Sequence, residues 1–137
     1  MRRSIPLTTA ACLTCTLVLP ALAQSPGSQL AAIEQEARQS QAAFPGFSAQ
    51  RGERFFRLKH GREWSCASCH TDNTLQLGRH ARTGKAIQPL APAANEHRFT
   101  DPAKVEKWFK RNCNDVLRRP CTTQEKGDVL TWLMQVK

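Results

Sequence analysis

Apolar side chains recur every three or four positions in three parts of the chain, and this spacing predicts three helices. The first spans residues 48–59, the second begins at Thr100 or Asp101 and ends near Leu117, and the third begins at Thr122. Each start offers a Ser, Thr or Asp side chain that can accept a hydrogen bond from the first helical turn. The stretch between the first two helices is broken by prolines and contains no convincing strand, so the pattern predicts an all-α fold.

The first 23 residues have the pattern of a secretory signal peptide. Two arginines precede a short apolar run, and small residues before Gln24 form a cleavage site. The apolar run is too short to span a membrane. We therefore predict a signal peptide at residues 1–23, a leader segment at 24–46 and one domain at 47–137, with no membrane insertion.

Loss of the signal peptide changes the charge and the cysteine count. The whole chain has a formal charge of +9, and residues 1–23 hold two arginines and no acid, so residues 24–137 carry +7. Four of the six cysteines remain. A basic protein can attract acidic proteins or nucleic acids, but this chain has no nucleic-acid motif and an exported location disfavours that partner. We therefore expect an acidic protein partner and no nucleic acid.

The sequence Cys66-Ala67-Ser68-Cys69-His70 is the attachment motif of c-type haem. Two thiols three positions apart can bond the two vinyl groups of one haem, and the adjacent His70 can then bind the iron through a neutral imidazole nitrogen. A redox dithiol would not need the histidine, and the other two cysteines are too far apart in sequence for half of a zinc site. We predict one covalent haem c on Cys66 and Cys69, with His70 as proximal ligand, in a small single-haem, class I-like cytochrome c fold.

The second axial ligand of the iron is less obvious, because Met134, inside the last helix, is the only methionine after the signal peptide. The candidates are a lysine, an asparagine, no protein ligand, or one of the histidines His60, His80 and His97, of which His80 is the strongest. One stripe of the second helix is apolar except for Asn112. A buried amide needs a partner, and iron, a backbone carbonyl or a haem propionate could supply it. The stripe comprises Val105, Trp108, Phe109, Asn112 and Val116.

The chain resembles the sphaeroides haem protein family, the oxygen-binding cytochromes c of proteobacterial periplasms. The resemblance spans about Phe47 to Leu133 and is far more specific than the haem motif alone. It is carried by residues 64–71 around that motif, Thr83-Gly84-Lys85, Pro89-Leu90-Ala91-Pro92, Arg98-Phe99-Thr100-Asp101, residues 104–109, Arg111-Asn112-Cys113 and residues 125–128.

The resemblance implies a distal asparagine that binds the iron in the oxidised protein and leaves it on reduction, so that oxygen or nitric oxide can bind. This residue maps to Asn112, with Asn95 as the alternative. A disulfide near the distal site maps to Cys113 and Cys121, which are also the only thiols left after haem attachment. The electron donors implied are a dihaem cytochrome c and a membrane b-type cytochrome.

The expected function is therefore that of a periplasmic single-haem cytochrome c that accepts electrons and binds a small diatomic ligand at a redox-gated distal site. Two alternatives remain open on sequence grounds. One is a simple electron carrier whose haem is always six-coordinate. The other is an enzyme, a terminal oxidase or a protein that converts nitric oxide.

Overall fold

A computed structural model describes residues 25–137, and the predicted signal peptide lies outside these residues. The described part is helical apart from one very short hairpin, which confirms the all-α prediction. None of its helices is long and apolar enough to cross a membrane. The elements are α1 (Pro26–Ser40), α2 (Ala49–Arg57), α3 (Ala67–His70), β1 (Gly78–Arg79), β2 (Ala86–Ile87), α4 (Pro102–Leu117) and α5 (Thr123–Leu133).

The three predicted helix starts are present and each is capped by its own side chain. Ser48 and Asp101 accept a hydrogen bond from the backbone N–H three residues later, at 3.3 and 3.1 Å. Thr122 and Glu125 form a reciprocal capping box, with bonds of 3.1 and 2.8 Å. Because these caps satisfy N–H groups that have no partner within the helix, they fix where α2, α4 and α5 begin.

The core is built around α5, which packs against α2 on one side and α1 on another. Phe56 of α2 meets Val129, Trp132 and Leu133 of α5, and all four side chains are less than one-tenth exposed. These apolar positions of α5 therefore face the core. Their burial contributes to the attraction that holds α2 to α5.

Helix α1 lies within the segment that we predict to be a leader, and it packs on the domain. Ile33 and Ala37 are buried on the face of α1 that meets α5. The Thr123 hydroxyl also donates to the Glu36 carboxylate at 3.0 Å. In the structure, the leader segment thus extends the core.

The prediction that the region after the haem motif contains no strand is wrong at one place. Strands β1 and β2 pair in antiparallel register, and the turn between them is closed by a 2.8 Å bond from the His80 N–H to the Lys85 carbonyl. Gly84 in this turn has a φ of +67°, which favours glycine. Each strand has only two residues, which is too short for an alternating pattern to be recognised.

Helix α4 is tied to α5 at both of its ends. A disulfide joins Cys113 of α4 to Cys121, just before α5. Lys126 of α5 also donates to the Glu106 carboxylate of α4 at 2.6 Å. These links hold the stripe of α4 that contains Asn112 at a fixed position relative to the core.

Candidate haem site

The attachment motif adopts a compact helical turn. Ser65 and Ser68 cap each other, each backbone N–H donating to the other's hydroxyl oxygen at 2.9 and 3.2 Å. The N–H of His70 then bonds the carbonyl of Cys66 at 3.0 Å. This single turn brings both thiols and the histidine into one short segment, as attachment of one haem requires.

The two motif cysteines are free thiols that lie partly buried. Burial raises the pKa of Cys66 to about 12, so its thiol is protonated at neutral pH. A redox dithiol instead depends on a lowered thiol pKa. The sulfur of Cys69 accepts a hydrogen bond from the backbone N–H of Ala81 at 3.3 Å. The chemistry of this pair therefore suits a permanent thioether better than thiol–disulfide exchange.

The surroundings of the His70 side chain favour its neutral form, which is the form that can bind a metal. Burial, assisted by the positive charge of Arg98, lowers the pKa of His70 to about 4. Its ring is therefore uncharged at neutral pH and keeps a nitrogen lone pair for a metal. The Nδ1 atom is buried and has no hydrogen-bond partner among the described residues. Both features fit a proximal iron ligand.

Apolar side chains surround the motif. Cys66 and Ala67 pack against the core cluster of α2 and α5, as do Leu90, Phe99 and Phe109 from three other parts of the chain. An apolar macrocycle bonded to the two cysteines would therefore meet an apolar wall. Taken with the protonated thiol and the neutral His70, these surroundings fit a covalently attached haem.

Asn112 is the polar member of an otherwise apolar stripe, as the sequence predicts. Val105 and Val116 on this stripe are buried, and Asn112 itself is partly buried. Its amide makes no side-chain hydrogen bond to any residue in the described range 25–137. Asn95 differs, because its amide donates to the Pro89 carbonyl at 3.4 Å and accepts from the His97 N–H at 3.3 Å. Of these two candidates, Asn112 is thus the one whose side chain has no hydrogen bond to the described residues.

The histidines and the methionine are placed less favourably for the sixth position. The Nε2 atom of His60 bonds a backbone carbonyl at 2.7 Å. His80 lies in the hairpin turn, where its Nδ1 accepts a backbone N–H at 3.2 Å. His97 is 89% exposed. Met134 lies beside Gly27 of α1. Two of these four side chains are thus bonded to backbone atoms, one is exposed to solvent, and one lies against α1.

The Cys113–Cys121 disulfide is present directly after Asn112. We expect replacement of both cysteines by serine to lower the free energy of unfolding by about 2–3 kcal/mol, mainly because the unfolded chain gains freedom. Urea titration of the haem-loaded protein measures this loss. A reductant should destabilise the parent by the same amount and leave the double variant unchanged. Equal stability of parent and variant would contradict the prediction.

Arg98 is a residue of this site that the sequence analysis did not identify as functional. It is partly buried, and its guanidinium donates to the carbonyls of Pro89 and Gln88 at 2.8 and 2.6 Å. Its charge contributes to the low pKa of His70. Arginines are usually exposed, so the sequence alone gives no sign that this one is turned inward.

The comparison with known proteins agrees with this geometry. Residues 42–133 match the model of a family described as a domain of unknown function, DUF1924. The cytochrome c-type protein SHP of Cereibacter sphaeroides is 55% identical over 69 residues, which are 50% of this chain and 53% of the relative. Cytochrome c'' of Methylophilus methylotrophus is 46% identical over 81 residues, which are 59% of this chain and 56% of the relative. The chain thus spans about half the length of the curated relatives it matches.

Solved structures match over a larger part of the chain. Oxidised cytochrome c'' of Methylophilus methylotrophus superposes with a TM-score of 0.71 at 34% identity, covering 82% of this chain and 94% of that one. Oxidised SHP, described as an oxygen-binding cytochrome c, gives 0.70 at 42% identity and covers 80% and 96%. A solution structure of cytochrome c'', concerned with haem-ligand detachment, gives 0.69 at 35% identity and covers 80% and 92%. The resemblance found in the sequence is confirmed, and the chain belongs both to the DUF1924 family and to the sphaeroides haem protein family of small, single-haem c-type cytochromes.

Proposed function

We propose that this protein is a periplasmic cytochrome c that accepts electrons and binds a small diatomic ligand, oxygen or nitric oxide, at a distal site opened by reduction. The observation that carries the proposal is the free amide of Asn112 on the apolar stripe of α4. The relatives support it, since SHP is described as oxygen binding and the cytochrome c'' structure as informative on ligand detachment.

In this proposal, Cys66 and Cys69 bond the haem and His70 is its proximal ligand. The haem supplies an iron that changes oxidation state and binds diatomic ligands. We expect treatment with acid and acetone to leave the haem on the polypeptide. Replacing both motif cysteines by serine should release it into the solvent, whereas replacing Cys113 and Cys121 should not. Free haem from the parent protein would contradict covalent attachment.

Asn112 is proposed as the ligand that opens the site. A neutral amide oxygen is a weak donor to iron, so little binding energy is lost when it leaves. Reduction removes one positive charge from the iron and weakens its attraction for an oxygen donor further. With a haem bound, Asn112 would therefore hold the sixth position while the iron is oxidised and would release it on reduction.

Carbon monoxide tests the open site, because it binds reduced haem iron only where a coordination position is available. We expect the absorption spectrum of the reduced protein to shift fully when carbon monoxide is added. The oxidised protein should not respond. An unchanged reduced spectrum would instead identify a six-coordinate electron carrier and would overturn the proposed ligand site.

Export is proposed from the pattern of residues 1–23, and the periplasm is the compartment that the family resemblance implies. The same resemblance implies a dihaem cytochrome c and a membrane b-type cytochrome as electron donors. An oxidising compartment is consistent with the disulfide between Cys113 and Cys121.

An acidic donor would meet a basic surface next to the haem motif. Arg62 and Arg118 line a cleft together with Glu63, Asp115 and Trp64, which lies two residues before Cys66. Arg82 lies over the Trp64 ring at 5.3 Å, and its guanidinium is 4.0 Å from the Asp115 carboxylate, so three arginines outnumber two carboxylates on this surface. Neither Arg62 nor Arg118 has a carboxylate of the described residues within 4.0 Å. These charges remain available to an acidic partner.

Charge reversal tests this surface. We expect the double variant Arg62→Glu and Arg118→Glu to be reduced by a dihaem cytochrome c at least about tenfold more slowly than the parent at low salt. The reason is that the long-range electrostatic attraction between the two proteins is lost. The loss should disappear at salt on the order of 1 M, where charges are screened. A control with the same change of charge, Arg38→Glu and Lys137→Glu, should react much more like the parent. Equal slowing by both double variants would contradict a local docking surface.

A further inference from the structure

The guanidinium of Arg98 is held in a fixed orientation on the loop before α4. Its Nε and one terminal nitrogen donate to the Pro89 and Gln88 carbonyls at 2.8 and 2.6 Å. Both acceptors are backbone atoms of the segment that continues into Leu90, and Leu90 packs against the core cluster beside the motif. The remaining N–H donors of Arg98 are therefore positioned in advance and are free to bind something else.

The positive charge of Arg98 has no protein counter-ion. No carboxylate of the described residues lies within 4.0 Å of it. The two carbonyl groups provide hydrogen bonds but no negative charge, and partial burial lowers the pKa of the group. A charge removed from water is costly unless an opposite charge is nearby. An anion at this position would therefore stabilise the folded protein.

The position of Arg98 indicates which anion would fit. Phe99, the next residue, and Leu90, which follows the Pro89 acceptor, both pack against the core cluster that Cys66 also contacts, so the guanidinium is held beside the haem motif. A haem bonded to Cys66 and Cys69 brings two propionate carboxylates to the same site. The planar fork of arginine matches the geometry of a carboxylate, which it can bind through two parallel hydrogen bonds.

We propose that Arg98 binds a propionate of the haem and thereby positions the ring relative to His70, an inference that rests on the proposed attachment through Cys66 and Cys69. The pairing links the haem to the segment around Pro89 through one side chain. In the haem-loaded protein it would also place a positive charge near the haem, and this charge would favour the reduced state over the oxidised one. Arg98 is thus a positioning residue that also tunes the reduction potential.

The test compares three variants of the haem-loaded protein. Arg98→Gln keeps hydrogen-bonding capacity but removes the charge. Arg98→Lys keeps the charge but removes the planar fork. Arg79→Gln, in β1 beside the motif, removes an exposed arginine and serves as the control for a general effect of charge. Midpoint potentials are measured at low salt and at salt on the order of 1 M, and resonance Raman spectra report the propionate bending mode.

We expect Arg98→Gln to lower the midpoint potential at both salt concentrations, because a partly buried ion pair is weakly screened. Arg79→Gln should lower it only at low salt. The propionate mode should shift in both Arg98 variants and stay unchanged in Arg79→Gln. Arg98→Lys should keep a potential close to that of the parent.

A change in stability alone would show that Arg98 only stabilises the loop. In that case both Arg98 variants would lose stability in urea, while the potential and the propionate mode stayed at the parent's values, and the proposal would be overturned. A haem stain on a denaturing gel separates this failure from failure of the proposed attachment. Haem lost from the parent on the gel would refute the attachment, whereas haem retained with no spectroscopic response would refute the role of Arg98.

Discussion

Asn112→Ala is expected to raise the affinity of the oxidised protein for an added ligand such as azide at least about tenfold. If Asn112 occupies the sixth position more than about nine-tenths of the time, an added ligand can bind only the remaining fraction, and its apparent affinity falls by that factor. Alanine cannot reach or bind the iron, so the competition ends. If the amide leaves on reduction, as proposed, the affinity of the reduced protein for carbon monoxide should change less than about twofold.

The chain offers a matched control two residues away on the same helix. Asn114 is exposed, so Asn114→Ala should have the parent's azide affinity in the oxidised state. The haem should remain attached in both variants. An Asn112→Ala protein with the parent's azide affinity would show that another side chain holds the sixth position, and Asn95 and His80 would be the next residues to replace.

Gly52→Ala is expected to destabilise the fold strongly, because α2 and α5 touch backbone to backbone at this point. A Cβ atom at position 52 would lie 2.7 Å from the nitrogen of Val129 and still closer to the carbonyl of Asp128. Alanine favours a helix over glycine by about 1 kcal/mol, but overpacking costs about 1–3 kcal/mol and more where backbone must move. We expect a net loss of about 2 kcal/mol or more in the free energy of unfolding.

Gly27→Ala in α1 is the matched control for that substitution. The nearest atoms to a Cβ at position 27 are 3.7 and 3.9 Å away, which is ordinary contact. This variant should be as stable as the parent or slightly more stable. Urea titration of the haem-loaded proteins measures both changes, and equal stability of the two variants would contradict close packing of α2 on α5.

The parts of this fold that depend on local chemistry could be predicted from the sequence. Ser48, Asp101 and Thr122 cap their helices through bonds to residues three positions away, so the signal lies within one short segment. The haem motif is equally local. The apolar stripe of α4 also followed from helical periodicity, although Trp108 on this stripe is 46% exposed, with Arg111 over its ring.

The parts that depend on distant contacts could not be predicted in this way. The sequence favours Asn112 through its apolar stripe but leaves Asn95 as an alternative, and only the fold shows that Asn95 is bonded to loop backbone. The inward position of Arg98 depends on carbonyl groups nine and ten residues earlier. The residues next to Gly52 in the sequence do not indicate that glycine is needed there. The need arises because α5, which follows some seventy residues later, leaves no room for a side chain.

The central claim is that Asn112 holds the sixth position of the iron in the oxidised protein and releases it on reduction. Resonance Raman spectroscopy tests this claim most directly, because its marker bands report the coordination number of the haem iron in each redox state. We expect a six-coordinate iron in the oxidised protein and a five-coordinate iron in the reduced protein. A six-coordinate iron in both states would contradict redox gating, and a five-coordinate iron in the oxidised state would contradict ligation by Asn112.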